Sequence, residues 1–160
     1  MNVPAVLTER LELVAKTRDE TVAYLDAMPA EYRKEVSPQW LALLEASANI
    51  DPWVHGFAIR HRGSGAVIGT CGFTGPPDAN GEVEIAYGID EEHQGNGYAT
   101  EAAEALVKFA YGYESVRLVR AHTLPVANAS SRVLTKCGFQ KAGEIVDPND
   151  GPVWRWVKPK

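Results

Sequence analysis

Apolar positions along the chain switch repeatedly between a period of two and a period near 3.6, with no linker or internal repeat. RLELVAK (10–16) alternates and predicts a strand. TRDETVAYLDAM (17–28) reads as a helix that stops before Pro29. SPQWLALLEASAN (37–49) predicts a second helix, with Ser37 as N-cap, Pro38 at its first position and Asn49 as stop. WVHGFAIRH and AVIGTCGFT read as two strands joined by the hairpin loop RGSG. GPPDANG is a loop, and EVEIAYGID (82–90) is a further strand.

Ala99, Ala102, Ala103, Leu106, Val107 and Ala110 then recur at helical spacing, predicting a helix over 97–111 that Gly112 can end. VRLVRAHT (116–123) is a strand. NASSRVLTKCGF (128–139) is a helix with Asn128 as cap, Val133, Leu134 and Cys137 inward, and Gly138 as stop. FQKAGEIV and PVWRWV close the chain as strands. The expected order is β-α-α-β-β-β-α-β-α-β-β. The three strands joined by tight loops should be antiparallel, and the two flanking helix 97–111 parallel. The expected fold class is α/β (α+β), a mixed central sheet with helices on both faces, forming one domain over residues 1–160.

Composition narrows the partners. The 160 residues suffice to bury a core, and 45% hydrophobic with 23% charged is ordinary for a globular chain. A net charge of −5 without a basic block argues against nucleic acid and against an anionic membrane surface. The charge favours cationic substrates only weakly. The start, MNVPAVLTERLELV, lacks a basic segment followed by an apolar run, so a cytoplasmic protein without a secretory leader is expected. No apolar stretch reaches the ~20 residues of a membrane span. Cys71 and Cys137 are far apart, as are His55, His61, His93 and His122, so no metal is expected.

The stretch EEHQGNGYATEAAEALVKFAY (91–111) carries the chemistry. Gly95 and Gly97 leave bare backbone where a strand turns into a helix, at amides the helix itself cannot satisfy. The helix dipole adds about half a positive charge there, which suits a phosphate. A tight turn needing φ > 0 would also use glycine. A dinucleotide fingerprint fails at Thr100, which should be Gly, and at His122 and Thr123, where an acid belongs. A P-loop fails because no Gly-Lys-Ser/Thr triplet exists. What remains is Gln94-Gly95-Asn96-Gly97-Tyr98-Ala99, of the form Gln-x-x-Gly-x-Ala.

That loop resembles the acetyl-CoA pyrophosphate loop of the GNAT N-acetyltransferases. With LTERLELV, VIGTCGF, EIAYGID and NASSRVLTKCGFQKAGE, the resemblance covers nearly the whole chain and points to the branch of ribosomal-protein N-terminal acetyltransferases. It implies an acetyl-CoA-dependent transfer to a primary amine, a protein N-terminus or a small molecule, by direct attack in a ternary complex. The implied cosubstrate site comprises Ile89, Gln94, Gly95, Asn96, Gly97, Tyr98, Ala99, Thr100 and Asn128. A monomer or a homodimer is expected. The competing reading is an acyl-CoA-binding sensor or scaffold with weak catalysis.

An amine must lose its proton to attack, and a lysine amine of pKa about 10.4 is far more protonated at neutral pH than an α-amine near 8. On strand 82–89, Glu82, Glu84, Ala86 and Gly88 share one face, and Val83, Ile85, Tyr87 and Ile89 the other. The resemblance implies that Glu84 acts as base, directly or through water, with Glu82 and His93 as alternatives. It also implies a serine in the first turn of helix 128–138 that helps the thiolate leave. Two registers compete there. Counting back from Gly138 selects Ser130, and anchoring on Asn128 selects Ser131. Ser130 is favoured, because a deletion inside a helix rotates everything before it by about 100°. The tyrosine other branches use later in this helix is missing. Glu101 is read as structural, complementing the dipole. Acceptor choice is expected from helices 17–28 and 37–49 and from GPPDANG, with Trp40 and Trp53 either lining the cleft or packing elsewhere.

Overall fold

Thr17 opens the helical layer with a reciprocal cap: its hydroxyl accepts from the Glu20 amide, and Glu20 accepts from the Thr17 amide. In the computed structural model, which describes residues 5–148 and 151–160, this cap starts α1 (Arg18–Ala27). The opening MNVP, part of the leader reading, lies outside the described residues. Two strands precede α1, β1 (Val6–Leu7) and β2 (Leu11–Ala15). After it come α2 (Ala30–Arg33), α3 (Pro38–Ala46) and α4 (Pro52–His55). The sheet continues with β3 (Phe57–His61), β4 (Val67–Phe73) and β5 (Glu82–Ile89). Then follow α5 (Tyr98–Tyr111), β6 (Leu118–Thr123), α6 (Ala129–Lys136), β7 (Gln140–Asp147) and β8 (Gly151–Pro159).

The eight strands form one sheet in the order β1-β2-β3-β4-β5-β6-β8-β7. Strands β3, β4 and β5 are antiparallel and β5 and β6 parallel, as the loop lengths require. The apolar face of β5, with Val83 and Ile85 buried, packs on the alanine stripe of α5. Ala102, Ala103, Leu106 and Ala110 are all fully buried, so helix and sheet approach closely. Burying a side chain such as Leu106 contributes roughly 2 kcal/mol. A smaller apolar cluster, Leu25, Leu44 and Val54, binds α1, α3 and α4 to one another. Among the described residues no helix is long and apolar enough to cross a membrane.

One expected strand is corrected. WVHGFAIRH is not continuous: its first half is α4, and β3 begins only at Phe57. The Asp51 carboxylate accepts from the Trp53 amide and Pro52 takes the first helical position, so Asp-Pro starts a helix. Gly56 ends it at φ +68°, and a Cβ there would lie 2.6 Å from the Cys71 carbonyl. The two-residue β1 and four-residue α2 are too short to show a period. Cys137 is buried as expected, and burial pushes its thiol up to about 11.

Candidate active site

Strands β5 and β6 pair only at Glu82↔Leu118, Val83↔Val119 and Glu84↔Arg120. Beyond Glu84 they part, although β5 runs on to Ile89 and β6 to Thr123. A cavity of about 580 Å³ lies at this opening. Tyr87, Gly88 and Ile89 line it from β5, the turn after β5 lines one side, and α6 contributes Ser130 and Val133. A second cavity of about 380 Å³ shares Tyr87 and Gly88 with the first and extends over Gly56, Gly72 and Ala86 toward Trp40. The two meet at Tyr87 and Gly88. A ligand entering from each side would touch there.

The glycine turn lines the first cavity with Gln94, Gly95, Gly97, Tyr98, Ala99 and Thr100. Gly95 and Gly97 both sit at φ +82°, so the turn needs glycine for its backbone as well. Gly97 is the N-cap of α5 and has no side chain to offer, which leaves the first-turn amides for an acceptor from outside. Asn96 faces its own loop, its Nδ2 donating to the His93 carbonyl at 3.1 Å. The amide of Gln94 donates from Nε2 to the Ile89 carbonyl at 2.9 Å, tying the turn to the end of β5.

Arg10, a residue the sequence reading passed over, holds this turn from the other side. Its Nη1 donates to the Asn96 carbonyl at 2.9 Å, and its guanidinium lies 4.6 Å from the Tyr98 ring centre. Arg10 also donates to Glu101 from its backbone amide and from Nε, each at 2.8 Å, and the Thr8 hydroxyl donates to the same carboxylate. Glu101 therefore points away from the turn. Burial works against its charge, but these donors prevail and hold the carboxyl below its ordinary range. On α6, exposed Arg132 and Lys136 line the first cavity one turn apart. Neither was singled out from the sequence, because isolated basic residues on a helix face carry no pattern.

The two strand acids are held differently. Glu82 takes Arg155 at 2.7 Å and Arg120 at 3.0 Å. Glu84 lies 3.2 Å from His122 Nδ1 and 3.5 Å from Arg120 Nε, so it is less fully engaged. His122 Nε2 is buried and meets no hydrogen-bond partner among the described residues. Glu84 follows Ala86 on the face that floors the second cavity. His93 lines the first cavity, near the turn.

Ser130 and Ser131 separate cleanly. Ser131 is buried in a capping box: its amide donates to Asn128 Oδ1 and its hydroxyl accepts from the Asn128 amide, both at 2.9 Å. Ser130 lines the cavity instead, and its carbonyl lies 3.4 Å from the Tyr87 hydroxyl. Burial raises the Tyr87 phenol to about 12, so it keeps its proton. Asn128 serves as helix cap and does not line the cavity. Trp40 does line the second cavity, whereas Trp53 packs on Phe73, Phe109 and Tyr113.

Comparison with known proteins bears on this geometry. Residues 4–140 match the family model of the acetyltransferase (GNAT) domain. The chain is 33% identical over 91 residues to p20 of Bacillus licheniformis, named an uncharacterized N-acetyltransferase, covering 57% of this chain and 51% of that protein. It is 29% identical over 116 residues to YjdG of Bacillus subtilis (strain 168), also so named, covering 72% and 63%. The matched segments thus span between about half and two thirds of these relatives. The solved structure of RimL, a ribosomal L7/L12 alpha-N-protein acetyltransferase in complex with coenzyme A, superposes with a TM-score of 0.70 at 17% identity, covering 98% of each chain.

Proposed function

The chain belongs to the GNAT acetyltransferase family, and on that premise we propose that it transfers an acetyl group from acetyl-CoA to a primary amine within a ternary complex. The observation that carries this reading is the parting of β5 from β6 after Glu84, with two cavities that meet at Tyr87 and Gly88. One cavity takes the thioester arm and the other the acceptor.

The amides of turn 94–100 seat the diphosphate of acetyl-CoA, supported by the α5 dipole, with Arg132 and Lys136 supplying charge. Ile89 contacts the pantetheine arm. The side-chain amides of Gln94 and Asn96 hold the turn in shape for its diphosphate contact. Asn128 contributes by setting the first turn of α6 and thereby where Ser130 points.

Acetyl-CoA supplies the thioester carbonyl. The acceptor amine enters over the Gly72 and Ala86 floor and forms its nitrogen–carbon bond as the carbon–sulfur bond breaks. Glu84 takes the amine proton, directly or through water, and His122 and Arg120 fix its carboxylate. Ser130 donates a hydrogen bond to the departing sulfur. A thiol of pKa about 8.5 leaves tolerably, so this contribution is modest. The 160 residues act as one domain.

Incubating the protein with acetyl-CoA and a panel of peptides, amino acids, polyamines and aminoglycosides tests the reading. Free thiol and an amine product heavier by one acetyl group are expected with at least one acceptor. Tight acetyl-CoA binding without either product would favour a sensor or scaffold.

A further inference from the structure

Among the described residues, the acceptor cavity is lined by one lysine and no acid. Lys16 lines it together with Trp40, His55, Thr70 and the small floor residues, and no carboxylate is among the lining groups. Lys16 is partly buried, and its ammonium makes no hydrogen bond or ion pair among the described residues; its one aromatic contact is the Tyr24 ring, 6.0 Å away. Tyr24 is 67% exposed, so that contact is weak. Other nearby groups compensate the charge only in part, and burial works against it. Glu20, which accepts from the Thr17 amide, is the carboxylate whose charge reaches Lys16, and it lies outside the cavity lining without an ion pair to it. The Cys71 thiol stays neutral, pushed up by burial to about 12. His55 accepts from the Asp51 amide on Nδ1 and binds the Ser47 hydroxyl through Nε2, and burial lowers its pKa.

Sheet register fixes where this cation stands. The Lys16 amide donates to the Gly56 carbonyl at 3.0 Å, Gly56 lies beside Gly72, and Gly72 pairs with Ala86. Lys16, Gly56, Gly72 and Ala86 thus form one row across β2 to β5, and its three positions other than Lys16 carry almost no side chain. Glu84 is next after Ala86 on the same face. The cavity thus has its cation at Lys16, and Glu84 stands beyond Ala86, outside the lining.

We infer that Lys16 binds a carboxylate on the acceptor, so that the acceptor is an amine bearing an acid: a short peptide. The inference rests on the transferase reading above. An unpaired ammonium inside a cavity is costly unless an anion joins it on binding. The row spans three strand spacings, about 14 Å between its outer Cα atoms. After the lysine side chain takes its part, the remainder suits an amine and an acid about two residues apart, at about 3.5 Å per residue. Polyamines place a second cation against Lys16 and are disfavoured, despite the net charge of −5.

The test uses isosteric acceptor pairs, with thiol release as readout. Alanyl-aspartate amide against alanyl-asparagine amide reads a side-chain acid; alanyl-alanine against its amide reads a terminal one. Wild type should prefer the acid at least tenfold in kcat/KM in one pair, which identifies the source. Lys16→Gln should shrink that preference to within twofold, Lys16→Arg should retain it, and Lys16→Glu should invert it. Acetyl-CoA Kd, measured by titration, controls for folding and should stay within twofold in all three. Indifference of wild type in both pairs, or a preference that survives Lys16→Gln, overturns the inference alone. No thiol release with any amine overturns the transferase reading and this inference with it.

Discussion

Asn128 and Ser131 cap each other: the Ser131 amide donates to Asn128 Oδ1 and the Ser131 hydroxyl accepts from the Asn128 amide, each at 2.9 Å. Ser131 is thereby committed to the helix start, and Ser130 alone of the two lines the cavity. Removing the capping hydroxyl should cost about 1 kcal/mol of stability, lowering Tm by about 2–4 °C in a domain of this size. Ser131→Ala is therefore expected to lower Tm and leave kcat within about twofold. Ser130→Ala should leave Tm alone and lower kcat about tenfold. A thermal melt beside a kcat measurement separates them, and the reverse pattern would restore the Asn128-anchored register.

Glu84→Gln should lower kcat on the order of 10²-fold and leave acetyl-CoA Kd nearly unchanged. Its deficit should narrow as pH rises toward that of the free amine, because the acceptor then deprotonates unaided. Glu82→Gln should cost stability rather than turnover, since Glu82 anchors Arg120 and Arg155. A pH–rate profile of both variants is the check. An unchanged rate for Glu84→Gln would move the proton to His93 or bulk water.

Glu101 gives a pH-dependent stability. Its folded-state pKa lies below the unfolded value, because donors from Thr8 and Arg10 outweigh burial. Such a group stabilises the fold above its unfolded pKa, about 4.3, and that contribution fades as pH falls through the lower folded value. Glu101→Gln should thus be less stable than wild type by about 1–3 kcal/mol at pH 7. The gap should narrow as pH falls from 7 into the acid range. Denaturation across that range reads it; a pH-independent gap would assign the loss to packing.

Arg132 and Lys136 predict a salt-sensitive affinity. Removing both charges should weaken acetyl-CoA binding about tenfold at low salt and flatten the dependence of Kd on ionic strength, because exposed charges are screened within about 10 Å at 0.1 M salt. Titrations at several salt concentrations suffice. Identical salt slopes in variant and wild type would remove both residues from the site.

Local pattern made much of this legible. The alternation along β5 placed Glu84 beside small residues, and the helical stripe of α5 located the glycine turn. What local pattern lacks is partnership across the chain. Arg10 finds Glu101 from 91 positions away, joining the bend before β2 to α5. His122 reaches Glu84 only because β5 and β6 lie side by side, and no spacing announces that. The serine register was ambiguous for another reason: Ser130 and Ser131 are both good first-turn residues, and only the reciprocal cap decides which one turns inward. Lys16 looked like the end of an alternating strand; the bare Gly56–Gly72–Ala86 row beside it exists only once the sheet has formed.

Gly88 offers the most direct test of the central account. It lines both cavities where they meet, has ordinary backbone dihedrals, and a Cβ added there would meet nothing within 4 Å. By contrast Gly97, at φ +82°, strains any replacement, so its loss would not discriminate. Titrating acetyl-CoA into Gly88→Leu and following thiol release, with Tm as control, asks whether the junction is the reaction site. The account predicts a wild-type Tm, acetyl-CoA binding weakened at least tenfold and turnover abolished. Wild-type affinity and turnover in a folded Gly88→Leu protein would contradict it.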